Sequence, residues 1–127
     1  MSKAALPRPT EAELSILRVL WRRGPSTVRA VQGELGVETG YTTVLKFMQI
    51  MTDKGLVERD DRERTHVYTP ALTEEQTQRQ LVGDLVERAF GGSAQKLVMQ
   101  ALSTRKAAPS ELAEIRKLLD EMERNRQ

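Results

Sequence analysis

Gly40-Tyr41-Thr42-Thr43-Val44-Leu45-Lys46-Phe47-Met48-Gln49-Ile50-Met51-Thr52-Asp53-Lys54-Gly55 is the stretch on which the reading of this chain turns. Val44, Phe47, Met48 and Met51 fall at helical spacing, the mark of one face turned to a core. Thr42, Thr43, Lys46, Gln49 and Asp53 then face outward. Gly55 supplies a natural stop. An amphipathic helix is expected over about 40–54, its exposed first turn presenting two hydroxyls and the Tyr41 phenol.

Upstream, Thr10-Glu11-Ala12-Glu13 fits a capping box, and Leu14, Leu17, Leu20 and Trp21 follow at helical spacing until Gly24-Pro25 ends the run. Ser26 or Thr27 opens a short second helix with Val28, Val31 and Leu35 on one face, stopped by Gly36. Downstream the period changes. Leu56–Asp60 and Thr65–Thr69 read as strands, rich in β-branched and aromatic residues, with His66 in the second and Pro70 closing it. The tip between them, Asp61-Arg62-Glu63-Arg64, is fully charged, so it is solvated or pressed against a charged partner. Three helices and a β-hairpin in about 60 residues make a winged helix-turn-helix, set here at residues 10–71 behind an N-terminal tail at 1–9.

From residue 72 to 127 the chain is helical again. Thr73 and Gln76 form a second capping-box pattern ahead of Leu81, Val82, Leu85, Val86 and Ala89. Gly91-Gly92 breaks that helix, and a shorter one carries Leu97, Val98, Ala101 and Leu102. A polar loop follows over 103–108. The last helix, capped by Ser110, repeats Leu112, Ile115, Leu119 and Met122 at three, four and three. So narrow a seam suits another helix better than a globular core. The fold class is therefore mostly α with a small β-hairpin wing, followed by a helical domain that finishes its burial against a partner.

Composition excludes several functions. Among 127 residues there is no cysteine, which removes disulfides, thiolate metal sites and thiol nucleophiles. No apolar leader or membrane span is read, so a soluble, cytoplasmic chain without membrane insertion is expected. Net charge is only +2. Any contact with a polyanion must therefore rest on geometry rather than bulk charge. A lone histidine and the absence of P-loop, GxGxxG, HExxH or GxSxG patterns argue against an enzyme, and no metal or cofactor motif is read.

The third helix is the feature that carries chemistry. Hydroxyls bond base edges or phosphates, a threonine methyl meets a thymine methyl, and a helix N-terminus favours phosphate oxygens. Tyr41, Thr42, Thr43, Lys46 and Gln49 are the candidate DNA contacts, beside the simpler role of Thr42 and Thr43 as helix caps. Arg62 and Arg64 on the wing, with Arg59 at its base, are candidate phosphate contacts, against a merely solvated turn. Arg22, Arg23 and Arg29 are alternative backbone contacts. A winged helix that binds protein instead would favour an acidic or apolar third-helix face, and the hydroxyl-rich face here does not fit it.

Taken together, Leu14-x-x-Leu17-x-x-Leu20-Trp21-x-x-Gly24-Pro25-x-Thr27-Val28, Gly40-Tyr-Thr-Thr-Val-Leu45, Lys54-Gly-Leu-Val57 and Val67-Tyr-Thr-Pro70 resemble the penicillinase and methicillin-resistance repressors. The resemblance runs from Thr10 to Met122. It implies a homodimeric bacterial transcriptional repressor seated on a pseudo-palindromic double-stranded operator, with Tyr41, Thr42, Thr43 and Lys46 at the start of its recognition helix and Arg62 and Arg64 on its wing. It implies dimerisation through the C-terminal helices, which hold Leu85, Leu97, Leu112, Ile115, Leu119 and Met122. Better-known members are inactivated by a membrane sensor protease that cuts an Asn-Phe bond in the dimerisation region. The matching position here is Gln100-Ala101, the candidate proteolytic region. The copper-responsive branch carries a C-terminal cysteine cluster, which this chain lacks.

Overall fold

The computed structural model describes residues 8–126, so the tail expected at 1–9 lies largely outside the described residues. Helix α1 (Glu11–Arg23) opens on the expected capping box. Glu13 donates its backbone N–H to Thr10 Oγ1 at 3.3 Å, and Thr10 returns its own N–H to Glu13 Oε1 at 2.9 Å. Helix α2 (Val28–Leu35) is capped by Thr27, whose hydroxyl accepts from the Ala30 N–H at 3.1 Å. Helix α3 (Tyr41–Lys54) follows, then strands β1 (Val57–Asp60) and β2 (Val67–Pro70), and helices α4 (Glu74–Ala89), α5 (Ala94–Thr104) and α6 (Pro109–Asn125). The chain divides into two compact units within α4, between Gly83 and Asp84.

In the first unit the core gathers Ile16, Leu17, Val19 and Leu20 of α1, Val28 and Val31 of α2, Val44, Met48 and Met51 of α3, and Leu56, Val57 and Tyr68 of the hairpin. Each such side chain contributes about 1.5–3 kcal/mol on leaving water. Ile16 and Val19 belong to this core although the spacing pointed to Leu14 and Trp21, which are only half-buried. The indole explains its position. Trp21 Nε1 donates to the Leu72 carbonyl at 3.0 Å, so the ring keeps its polar edge at the rim and ties α1 to the chain leaving the hairpin.

The strands pair antiparallel, Val57 opposite Pro70 and Asp60 opposite Val67. His66, expected inside the second strand, lies just before it in the tip. There its Nδ1 sits 2.8 Å from Asp61 Oδ1, a side-chain contact that competes with extending the ladder. Pro70 is the last residue of β2, where its missing N–H costs nothing. An isolated bridge outside the hairpin was not foreseen. Ser26 donates to the Tyr68 carbonyl at 3.1 Å and Tyr68 donates back at 2.8 Å, which fastens the hairpin to the α1–α2 connection.

Two details set the attitude of α3. Gly55 adopts φ +82, so the chain reverses into β1 while its N–H bonds the Thr52 carbonyl and Leu56 bonds that of Met51. At the same end Lys54 Nζ reaches Glu13 Oε1 at 2.8 Å, joining the last residue of α3 to the first turn of α1.

In the second unit, Gly91 and Gly92 both take positive φ and end α4, the Gly92 N–H bonding the Val86 carbonyl at 2.8 Å. Helix α6 starts one turn-corner earlier than the cap expected at Ser110. Ala108 is its cap residue, Pro109 occupies the first helical position and Glu111 accepts the Ala108 N–H at 2.8 Å. Proline's fixed φ suits that position and brings the start forward. Neither α5 nor α6 has a buried residue.

Glu13 is 3% exposed. Burial pushes its pKa up, but Lys54 and the Thr10 hydrogen bonds outweigh this and hold it below the ordinary 4.5. A carboxylate with a lowered folded pKa adds stability above its unfolded value, lost as pH falls through the folded one. Glu13→Gln should cost about 1–2 kcal/mol at neutral pH, and less as pH drops below about 4.5. Urea unfolding from pH 7 to 3 checks this; a cost that grows on acidification contradicts it.

Candidate nucleic-acid interface

Helix α3 buries Val44, Met48 and Met51 completely and half-buries Phe47. The helical period then leaves Thr42, Thr43, Lys46, Gln49 and Asp53 in solvent, as expected. The helix begins on Gly40, which offers no side chain to cap it. The first intrahelical bond is from the Val44 N–H to the Gly40 carbonyl, so the three preceding N–H groups point out unfilled by the helix itself. Thr42 and Thr43 supply no cap, and their hydroxyls are free of any role in the fold. An open helix start of this kind suits phosphate or base-edge acceptors.

Tyr41 stands at the edge of this turn, 39% exposed, with the Arg29 guanidinium carbon 4.7 Å from its ring centroid. The other arginines near α2 are differently engaged. Arg22 and Arg23 both reach Glu34, at 2.9 and 3.4 Å, and so brace α1 against α2. Between α2, α3 and the hairpin lies a cleft of about 320 Å³, lined among others by Thr27, Arg29, Tyr41, Thr65 and His66.

The wing is electrostatically closed on itself. Arg62 grips Asp60 through Nε at 3.0 Å and Nη2 at 2.7 Å, and Arg59 Nε lies 2.7 Å from Asp61 Oδ1. The Arg62 side chain and backbone N–H together lower the Asp60 pKa to about 2. Arg64 has no ion pair among the described residues and is exposed. The two wing arginines singled out in the sequence are thus unequal, one latched and one free. Charge alternation in Asp60-Asp61-Arg62-Glu63-Arg64 signals pairing, but which arginine pairs depends on the turn.

On the C-terminal helices, Leu97, Leu112 and Ile115 are half-buried, while Leu85, Leu119 and Met122 are about half exposed. Met99 of α5 and Leu118 of α6 are exposed at 61% and 55%, and Leu118 falls outside the three-four-three spacing of the seam. Gln100 and Ala101 lie in the body of α5, both exposed. Among the described residues no group of His, Asp or Glu could hold a metal ion, and no helix is long and apolar enough to cross a membrane.

A three-helix unit with an antiparallel hairpin and an outward, uncapped third helix is the winged-helix class of regulator. The sequence matches the family model described as penicillinase repressor over residues 9–121, and the chain belongs to that family of repressors. It is 23% identical over 118 residues to the penicillinase repressor of Bacillus licheniformis, covering 91% of this chain and 92% of that one. Among solved structures it is similar to a transcriptional regulator from Thermotoga maritima, with a TM-score of 0.51 and 20% identity over 91% of this chain and 77% of that one, a likeness of fold. The DNA-binding domain of the repressor BlaI matches with a TM-score of 0.49 and 26% identity, covering 58% of this chain and 90% of that domain.

A protease needs its substrate extended, and the Gln100-Ala101 bond is helical. The turn between α5 and α6 holds Arg105 and Lys106 outside any helix. Limited trypsin digestion should therefore cut after Arg105 or Lys106 before it cuts after Lys96 inside α5. Mass spectrometry of early fragments reads the order, and a first cut within α5 contradicts it.

Proposed function

We propose that this repressor acts as a homodimer on pseudo-palindromic double-stranded DNA, with α3 in the major groove and the wing on the adjacent backbone. The observation that carries the reading is the uncapped first turn of α3, where Tyr41, Thr42 and Thr43 are exposed and their N–H groups precede the first helical bond, beside Lys46 and Gln49. Thr42, Thr43 and Gln49 read base edges, while Lys46 and Arg64 meet phosphates. Winged-helix dimers match two half-sites about 10 bp or a multiple apart. The domain limits follow the same division of labour, 10–71 for DNA and 72–127 for dimerisation.

Dimerisation draws support from the C-terminal unit, where α5 and α6 hold no fully buried residue. Leu85, Leu97, Leu112, Ile115, Leu119 and Met122, joined by Leu118, supply the apolar area. Operator affinity then depends on association through residues outside the proposed DNA contacts. Release follows loss of the dimer, by a membrane sensor protease that cuts near Gln100-Ala101 or by another inactivating protein. The chain works in the cytoplasm as a regulator and not as an enzyme.

Footprinting of the purified protein on the DNA upstream of its own gene tests the reading, and protection of no two-fold site there or in random-pool selection overturns it. On a selected duplex, Thr43→Ala should cost about 1–3 kcal/mol, concentrated at one base position. Arg64→Ala should instead weaken all duplexes alike and reduce the salt slope by about 0.9. Titration across salt concentrations separates the two; equal losses on selected and random DNA for the Thr43 variant remove its base-reading role. Leu119→Asp should leave the N-terminal fold intact by NMR yet shift the protein to monomer in sedimentation and weaken operator binding at least tenfold.

A further inference from the structure

The Arg29–Tyr41 stack joins two elements that the DNA reading treats separately. Arg29 is exposed on the first turn of α2, and Tyr41 is the first residue of α3. Its neighbours Arg22 and Arg23 share Glu34, whereas Arg29 has no carboxylate partner among the described residues and lies over the ring. The ring needs such a neighbour. It sits on an exposed helix start, beside an open cleft whose opposite wall is Thr65 and His66.

The Arg29 guanidinium carbon lies over the ring, and its N–H groups make no hydrogen bond or ion pair among the described residues. A planar, delocalised cation can therefore hold an aromatic ring and donate to a phosphate oxygen at once. A lysine ammonium supplies the charge but has no plane to stack. The cleft is lined by residues of α2, α3 and the hairpin, so a phosphate held there would lie between the helix and wing contacts proposed above.

We infer that Arg29 is the positioning residue for Tyr41 in DNA recognition: it fixes the ring against the start of α3 while its free edge takes a backbone phosphate beside the cleft. The inference rests on the DNA-binding reading above. Tyr41 then presents its phenol in one orientation, and base selectivity depends on a side chain of α2 that touches no base.

The test uses the full chain, a duplex of about 30 bp enriched from a random pool by the wild-type protein, and a random duplex of the same length. In the free protein, NMR should show the Arg29 Hδ protons shifted upfield by the ring, with the shift kept in Tyr41→Phe and lost in Tyr41→Leu. Arg29→Lys should keep the wild-type salt slope yet lower the preference for the enriched duplex about 2–5-fold per half-site, the strength of an exposed cation–π contact. Arg29→Gln should lose that preference and also reduce the slope by about 0.9 per half-site. The double variant Arg29→Lys with Tyr41→Leu should be no less selective than Tyr41→Leu alone. Wild-type selectivity in Arg29→Lys, or an unshifted Arg29 resonance, overturns the inference while leaving DNA binding intact. Failure of the wild-type protein to enrich any duplex removes the DNA reading, and this inference with it.

Discussion

The complete burial of Val44, Met48 and Met51 along one side of α3 is the constraint from which the rest follows. A helix has one period, so fixing three residues inward fixes every other side chain on it. Thr42, Thr43, Lys46 and Gln49 are outward because they have no alternative. Rotating the helix to hide them would expose three side chains worth several kcal/mol in all and bury a lysine without a partner. The interface is thus a by-product of the core, and its geometry is as rigid as the core is tight.

The hairpin is held by a different kind of bond. Tyr68 sits 1% exposed in the core and exchanges two backbone hydrogen bonds with Ser26. The wing is accordingly pinned at its base to the same connection that launches α2, and only its tip projects. Lys54 and Glu13 perform the equivalent service at the far end of α3. The last residue of α3 is therefore clamped to α1, and the hairpin that follows it to the α1–α2 connection.

The sequence made the helices legible because their punctuation is chemical and local: Thr10 with Glu13, Gly24-Pro25, Gly36, Gly55, Gly91-Gly92. The outward row on α3 was equally legible, since it follows from spacing. What could not be read were partnerships across long separations. The Ser26–Tyr68 rung, the Trp21–Leu72 bond and the Arg29–Tyr41 stack join residues whose meeting depends on the finished packing, and none leaves a periodic trace. Proline misdirected the start of α6 for a related reason, because Ser110 is a good cap residue by type but Pro109 had already taken a helical φ. The wing shows the same limit. Its charged tip reads as solvated or pressed against a charged partner, and only the folded turn shows Arg62 and not Arg64 paired with Asp60.

That internal pairing at the tip has a physiological side. A protein that grips DNA with many free cations releases many counterions, and its occupancy collapses when the cell concentrates its ions under osmotic stress. Here Arg59 and Arg62 already have counterions built into the chain, as Asp61 and Asp60. The tip thus carries fewer uncompensated cations than its count of arginines suggests. If the wing meets the double helix as proposed, such a repressor should keep its genes silent through swings in cytoplasmic salt that would dislodge a more basic one.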